Sequence, residues 1–223
     1  MENCVRKFTY DVSKYGFQEK ICKIFGVKNL ASLHKDRDDL LPVHELVFEN
    51  ESRTEFHNKF YNELTNSPLG IELKKMYLVF LKNEIKPLMK EEFIFQTFPT
   101  FRVHLPNDKA VHKWHYDSDP DHQHPHWELN IQIALTDMID TQATWIESVP
   151  GLKDFRPMNM RYGEFYIFDG NKCCHGNKPN ITDAARVSFD FRILPQKHYN
   201  ASHNSSSATK GRKFIIGDYY SKF

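Results

Sequence analysis

The chain has 223 residues, a formal net charge of +1, 40% hydrophobic residues and 14% aromatics. That length suits one domain with its own core, or a core with an elaborated flank. The near-neutral charge, with no basic stripe, gives nucleic-acid binding no electrostatic support. Residues 1–7 carry no apolar stretch, and no apolar run is long enough to cross a bilayer. The expectation is a soluble cytoplasmic protein with no membrane or nucleic-acid partner, as a monomer or small homo-oligomer. The four cysteines show no C-x-x-C spacing. Cys173 and Cys174 read as small strand-end residues rather than as a disulfide or zinc framework.

In chain order, residues 1–95 read as a mainly helical region packed on a core. Phe17, Ile21, Ile24 and Phe25 recur at helical spacing, and Gly26 is a natural stop. A second helix is expected over 54–64, with Phe56, Phe60 and Leu64 on one stripe. A third is signalled by Ser67 as cap, Pro68 in the first turn and an apolar face over 71–85 before Pro87. Such stripes are scaffold faces.

From Gln96 the apolar period changes to two. Phe101, Val103 and Leu105 alternate with Thr100, Arg102 and His104. Leu129, Ile131, Ile133 and Leu135 alternate with Asn130, Gln132 and Thr136. Further strands are expected over 144–148, 163–168 and 185–194, with Pro150-Gly151 and Asp169-Gly170 as turns. Short strands at this spacing predict a jelly roll over 96–195, a mainly β fold with flanking helices. Residues 196–223 form a Ser-rich loop, 200–211, and a C-terminal segment whose Phe214-Ile215-Ile216 and Tyr219-Tyr220 can dock back as a last strand.

Within the β region, His115-Tyr116-Asp117 places two metal-ligand types two residues apart, on one face of an extended strand. His175 lies 58 residues after Asp117, just past the predicted turn. Two histidines and one carboxylate can hold Fe(II) on one face and leave the other open. The triplet alone is weak, because about one H-x-D is expected by chance in a chain this rich in histidine. His34-Lys35-Asp36 is another, in a charged stretch that reads as solvated. Arg186 follows His175 by 11 residues, with Ser188 on the same face. An arginine fork with a hydroxyl suits the carboxylate of an acidic co-substrate. The polar, proline-broken segment 117–126 reads as a loop at a cleft rim rather than as a second metal site. Glu128 and Asn130 follow that segment, and Arg102, Trp145 and Glu147 sit on neighbouring strands, within reach of co-substrate or substrate if their faces point inward, and a one-residue register error reverses that face.

Several segments carry a resemblance: Thr100-Phe101-Arg102-Val103-His104-Leu105-Pro106, the His115-x-Asp117 pair, Trp145-Ile146-Glu147-Ser148, Phe168-Asp169-Gly170, His175-Gly176-Asn177 and Arg186-Val187-Ser188-Phe189-Asp190-Phe191-Arg192. Over roughly residues 98–195 the chain resembles the Fe(II)/2-oxoglutarate oxygenase-like proteins encoded in streptomycin-type biosynthetic clusters. More broadly, it is similar to the phytanoyl-CoA dioxygenase superfamily. The resemblance implies a double-stranded β-helix with His115, Asp117 and His175 as catalytic iron ligands. It also implies that Arg186, assisted by Ser188, binds the far carboxylate of 2-oxoglutarate, with Asn130 and Arg102 as further contacts. The implied cofactors are Fe(II), 2-oxoglutarate and O2, and the implied reaction is oxidation of a small polar molecule such as a sugar, cyclitol or amino-acid derivative. Asp117 argues against a halogenase, which needs that ligand position vacant. Two other readings share the pattern: a cupin-like metal-dependent sugar isomerase or epimerase, which has no use for Arg186 and Ser188, and a non-catalytic β-helix binding module.

Overall fold

The computed structural model describes residues 5–41, 54–108, 114–203, 205–207 and 211–223. Two antiparallel sheets form the centre. The larger comprises β1 (Val5–Thr9), β2 (Phe93–Gln96), β3 (Thr100–His104), β4 (Leu129–Ala134), β7 (Glu164–Phe168), β9 (Arg186–Pro195) and β10 (Tyr220–Ser221). Its order is β1-β7-β4-β9-β2-β10, with β3 also paired to β9. The smaller sheet has the order β6-β5-β8, built from β5 (Thr144–Ile146), β6 (Arg156–Pro157) and β8 (His175–Asn177). Side chains meet across the gap between the sheets, as where Gln132 Nε2 on β4 donates to Thr144 Oγ1 on β5 at 3.1 Å. This is the predicted double-stranded β-helix.

The helices lie against the other face of the large sheet. They are α1 (Phe17–Phe25), the short α2 (Leu33–Asp36), α3 (Glu55–Asn66) and α4 (Pro68–Phe80). Their starts and stops follow the expected local chemistry. Gly26 closes α1 at φ 69°, a left-handed conformation that costs glycine little. The Ser67 side chain caps α4 by accepting from Gly70 N at 3.2 Å, with Pro68 in the first turn. Aromatic rings weld the helices to the sheet: Phe60 stacks on Phe101 at 4.4 Å, while Phe17 meets Phe189, Tyr77 meets Phe191 and Phe80 meets Phe165 edge-on. Pairs of this kind contribute about 0.5–1.5 kcal/mol each beyond area burial.

Three expectations are refined. The first ninety-five residues, expected to be mainly helical, also contain a strand: β1 pairs with β7 from Val5↔Phe168 to Thr9↔Glu164. Arg6 and Lys7 hide its alternation, since an edge strand carries charges on its open side. The expected boundary at residue 95 falls inside β2, which pairs with β9. The His115-x-Asp117 pair is not in a regular strand. His115 makes an isolated bridge to His175, and the chain turns away at Asp117. The expected C-terminal strand is present as β10, paired with β2 through Tyr220↔Gln96. Of the Ser-rich segment 200–211, residues 204 and 208–210 lie outside the described residues. Among the described residues no helix is long and apolar enough to cross a membrane.

Candidate metal centre

The two predicted histidines are brought together by the backbone. His115 N donates to His175 O and His175 N to His115 O, both at 3.0 Å, so the start of β8 is pinned beside the H-x-D segment. Asp117 Oδ1 then lies 3.6 Å from His115 Nε2 and 3.7 Å from His175 Nε2. One donor atom from each residue lies within 4.8 Å of the other two, and this is the one such group of three found among the described residues. Metal–ligand bonds of about 2.0–2.2 Å ask for neighbouring donors roughly 3 Å apart, so small side-chain rotations close the triad on one divalent ion. Three protein donors on one divalent ion would leave its remaining coordination positions open.

Hydrogen bonds prepare the donors. His175 Nδ1 lies 3.1 Å from the Cys173 carbonyl oxygen, which as acceptor fixes the proton on Nδ1 and frees the Nε2 lone pair. Burial lowers the His175 imidazole to about 4, against the pull of Asp117, so the ring is neutral and ready to ligate. Asp117 is fully enclosed. Asn130 Nδ2 donates to its Oδ2 at 2.6 Å, and Arg192 donates from Nε to Oδ2 and from an Nη to Oδ1, both at 3.1 Å. Burial opposes its charge, but the Arg192 guanidinium, with His115 and His175 beside it, holds the carboxyl well below the usual carboxylate range. Gly170 makes room: a Cβ there would stand 2.8 Å from Asp117 Oδ2, and Gly170 O accepts from Asp117 N at 2.9 Å. The chemistry and spacing of this donor set fit a ferrous ion.

The remaining predicted residues divide by position. In register, β9 and its neighbours put Arg186, Ser188, Asp190 and Arg192 on the inner face together with Arg102, Asn130 and Gln132. Arg186 is buried and donates from an Nη to Ser188 Oγ at 3.1 Å. It stands six residues of strand, about 20 Å, from Arg192. Arg102 forms a two-bond pair with Asp190 at 3.0 and 3.3 Å. Asn130 is spent on Asp117. Glu147 faces a turn, where its carboxylate accepts from the amides of Cys174, Gly151 and Lys153. Trp145 faces outward under Lys178, whose Nζ is 3.1 Å from the ring centroid. In segment 117–126, His122 stacks on His115 at 4.2 Å and bonds Asp119 at 2.7 Å.

Sequence reading placed Glu128 among the groups that could reach co-substrate or substrate, but it missed Arg192 as the partner of Asp117 and missed Glu128 and Tyr220 as the groups behind Arg192. Arg192 carries a signal in its alternation with Phe191 and Ile193, but nothing in the sequence says which carboxylate it meets. A cleft of about 300 Å³ opens where the chain leaves Asp117, lined by Ser118, Asp119, Gln123, His126, His203 and Ser205 among others.

With this geometry in place, the likenesses to known proteins agree with it. No family model matches the chain. It is 29% identical over 221 residues to the streptomycin biosynthesis protein StrG of Streptomyces griseus, covering 96% of each. Among solved structures, it is similar to the non-heme alpha ketoglutarate dependent carbocyclase SnoK from nogalamycin biosynthesis, with a TM-score of 0.53 and 12% identity over 87% of this chain and 80% of that one. It is also similar to CytC3 with Fe(II) and alpha-ketoglutarate, with a TM-score of 0.51 and 14% identity over 92% of this chain and 78% of that one. The chain has the double-stranded β-helix fold seen in non-haem iron and 2-oxoglutarate oxygenases, and its own β-helix brings His115, Asp117 and His175 together as a triad that could hold a metal ion.

Proposed function

We propose that the chain is an Fe(II)/2-oxoglutarate-dependent dioxygenase that hydroxylates a small polar metabolite. The observation that carries the reading is the triad: three donors of the right types, close together and held by hydrogen bonds to Cys173 O and from Asn130 and Arg192. Iron held by His115, Asp117 and His175 would supply O2 activation coupled to oxidative decarboxylation of 2-oxoglutarate to succinate and CO2. The chain's own part is positioning. Arg186 with Ser188 offers a buried fork and hydroxyl for the far carboxylate of the co-substrate. Asn130 contributes by orienting Asp117, and Arg102 through its pair with Asp190. Gln132 Oε1 and Asn130 Oδ1 on the inner face are both buried without a hydrogen-bond partner.

The substrate class is supported by the cleft beside Asp117. Ser118, Asp119, Gln123, His126, His203 and Ser205 bring hydroxyl, carboxylate, amide and imidazole groups to its wall beside the Pro120 ring, and these groups can hydrogen-bond a compact, hydroxyl-rich molecule such as a sugar or cyclitol. StrG, by its name a streptomycin biosynthesis protein, is consistent with such a substrate.

Anaerobic titration of the metal-free protein with Fe(II) and 2-oxoglutarate tests the reading. The expected result is a weak visible charge-transfer band from the chelated co-substrate, absent in His175→Ala and Asp117→Ala proteins that keep their circular-dichroism spectra. Iron binding without the band would remove 2-oxoglutarate from the assignment. No iron binding at all would leave a β-helix scaffold with another role.

A further inference from the structure

Behind the triad lies a buried chain of polar groups that ends at the C-terminal strand. Arg192, 8% exposed, stands between two carboxylates, Asp117 at 1% and Glu128 at 0%. It does not share itself equally. Two bonds of 3.1 Å join it to Asp117, whereas Glu128 Oε2 is 3.8 Å from Arg192 Nε. Glu128 has other partners: His124 Nδ1 lies 2.7 Å from Oε2, and the Tyr220 hydroxyl donates to Oε1. Tyr220 belongs to β10, and its neighbour Tyr219 donates to Gln96 Oε1 at 3.0 Å. Phe214, from the same segment, packs its ring 4.6 Å from that of His124.

We infer that Arg192 is a positioning residue for the metal ligand Asp117, and that Tyr220 keeps it so by satisfying the competing carboxylate of Glu128. The inference rests on the triad being a metal site. A single guanidinium between two buried carboxylates leans toward whichever is less well satisfied, because an unpaired buried charge is the costly alternative. Glu128 already accepts from Tyr220 and pairs with His124, so the fork of Arg192 closes on Asp117. With Oδ2 held by Asn130 and by Arg192 Nε, and Oδ1 also bonded by an Arg192 Nη, the carboxylate is kept from turning with Oδ1 on the side of the two histidine Nε2 atoms. Docking of the C-terminal segment and occupancy of the triad are thereby coupled, and coupling of this kind acts in both directions.

The test uses the full chain and Mn(II) alone, with bound metal read from the loss of the free-ion paramagnetic resonance signal. Partners of metal ligands typically change affinity by about 10–100-fold when removed. Tyr220→Phe is expected to weaken Mn(II) binding by about tenfold, because Glu128 then draws Arg192 away. The double variant Tyr220→Phe/Glu128→Gln is expected to recover most of that loss, since a neutral amide no longer competes for the guanidinium. A general structural role for Tyr220 would not produce this rescue. If Tyr220→Phe does not fold, Arg192→Lys carries the test: the charge stays, the two-bond fork goes, and the same tenfold loss is expected. Unchanged affinity in the variants, or a double variant no better than the single one, overturns the inference. Wild-type protein that takes up no Mn(II) overturns the triad itself, a result distinct from normal wild-type binding with indifferent variants.

Discussion

The two faces of β9 are both largely buried and do different work. Val187, Phe189, Phe191 and Ile193 are at 0% exposure against the helices, while Arg186, Ser188 and Arg192 lie at 4%, 0% and 8% on the inner face. The outer face is held by area and ring packing, which tolerate approximate complements. The inner face is held by specific partners, because each buried polar group without one costs free energy. Hence the outer face determines whether the chain folds, and the inner face determines what the folded chain can hold.

The contrast is sharpened most by Phe189, which contacts Phe17, Phe60, Phe98 and Phe101. Phe189→Ala is expected to cost about 3–5 kcal/mol of stability in denaturant unfolding, while the folded fraction still binds metal. Loss of metal binding with stability intact would dissolve the distinction between the faces. Next comes Arg186→Ala, expected to raise the 2-oxoglutarate needed for half-saturation by about 10–100-fold, the equivalent of the roughly 1.5–3 kcal/mol of a charge-assisted bond, with little change in melting temperature. An unmoved 2-oxoglutarate requirement would take the co-substrate away from that end of β9. The smallest effect is expected at Gln132, whose Oε1 lacks a partner while Nε2 reaches Thr144. Gln132→Leu should change the stability of the ligand-free protein by less than about 1 kcal/mol. A larger destabilisation would show that the amide is already fully satisfied inside the β-helix.

How legible each face was in the sequence follows from the same contrast. Helix stripes such as Phe17, Ile21, Ile24 and Phe25 and the alternation along β3, β4 and β9 announce themselves, because apolar periodicity maps directly onto a buried face. The triad residues were legible too, as a triplet plus one histidine in a β context, and the structure brings all three together. A polar stripe is ambiguous, since Arg186, Ser188, Asp190 and Arg192 would read the same on a solvated strand. Its inward orientation depends on a second sheet lying across it, a long-range fact. The pair of Arg192 with Asp117 spans 75 positions, and that of Tyr220 with Glu128 spans 92, distances over which charge pattern carries no pairing information. Edge strand β1 was lost because Arg6 and Lys7 mask it.

The bridge between His115 and His175 has a consequence for motion. Each residue gives its amide hydrogen to the other's carbonyl, at the margin of a three-stranded sheet where fraying begins. When that margin opens, both imidazoles separate at once, so opening of these two backbone bonds is one route by which a bound ion would be released. Deuterium uptake at those two amides is a direct gauge of how tightly an ion clasps the margin shut.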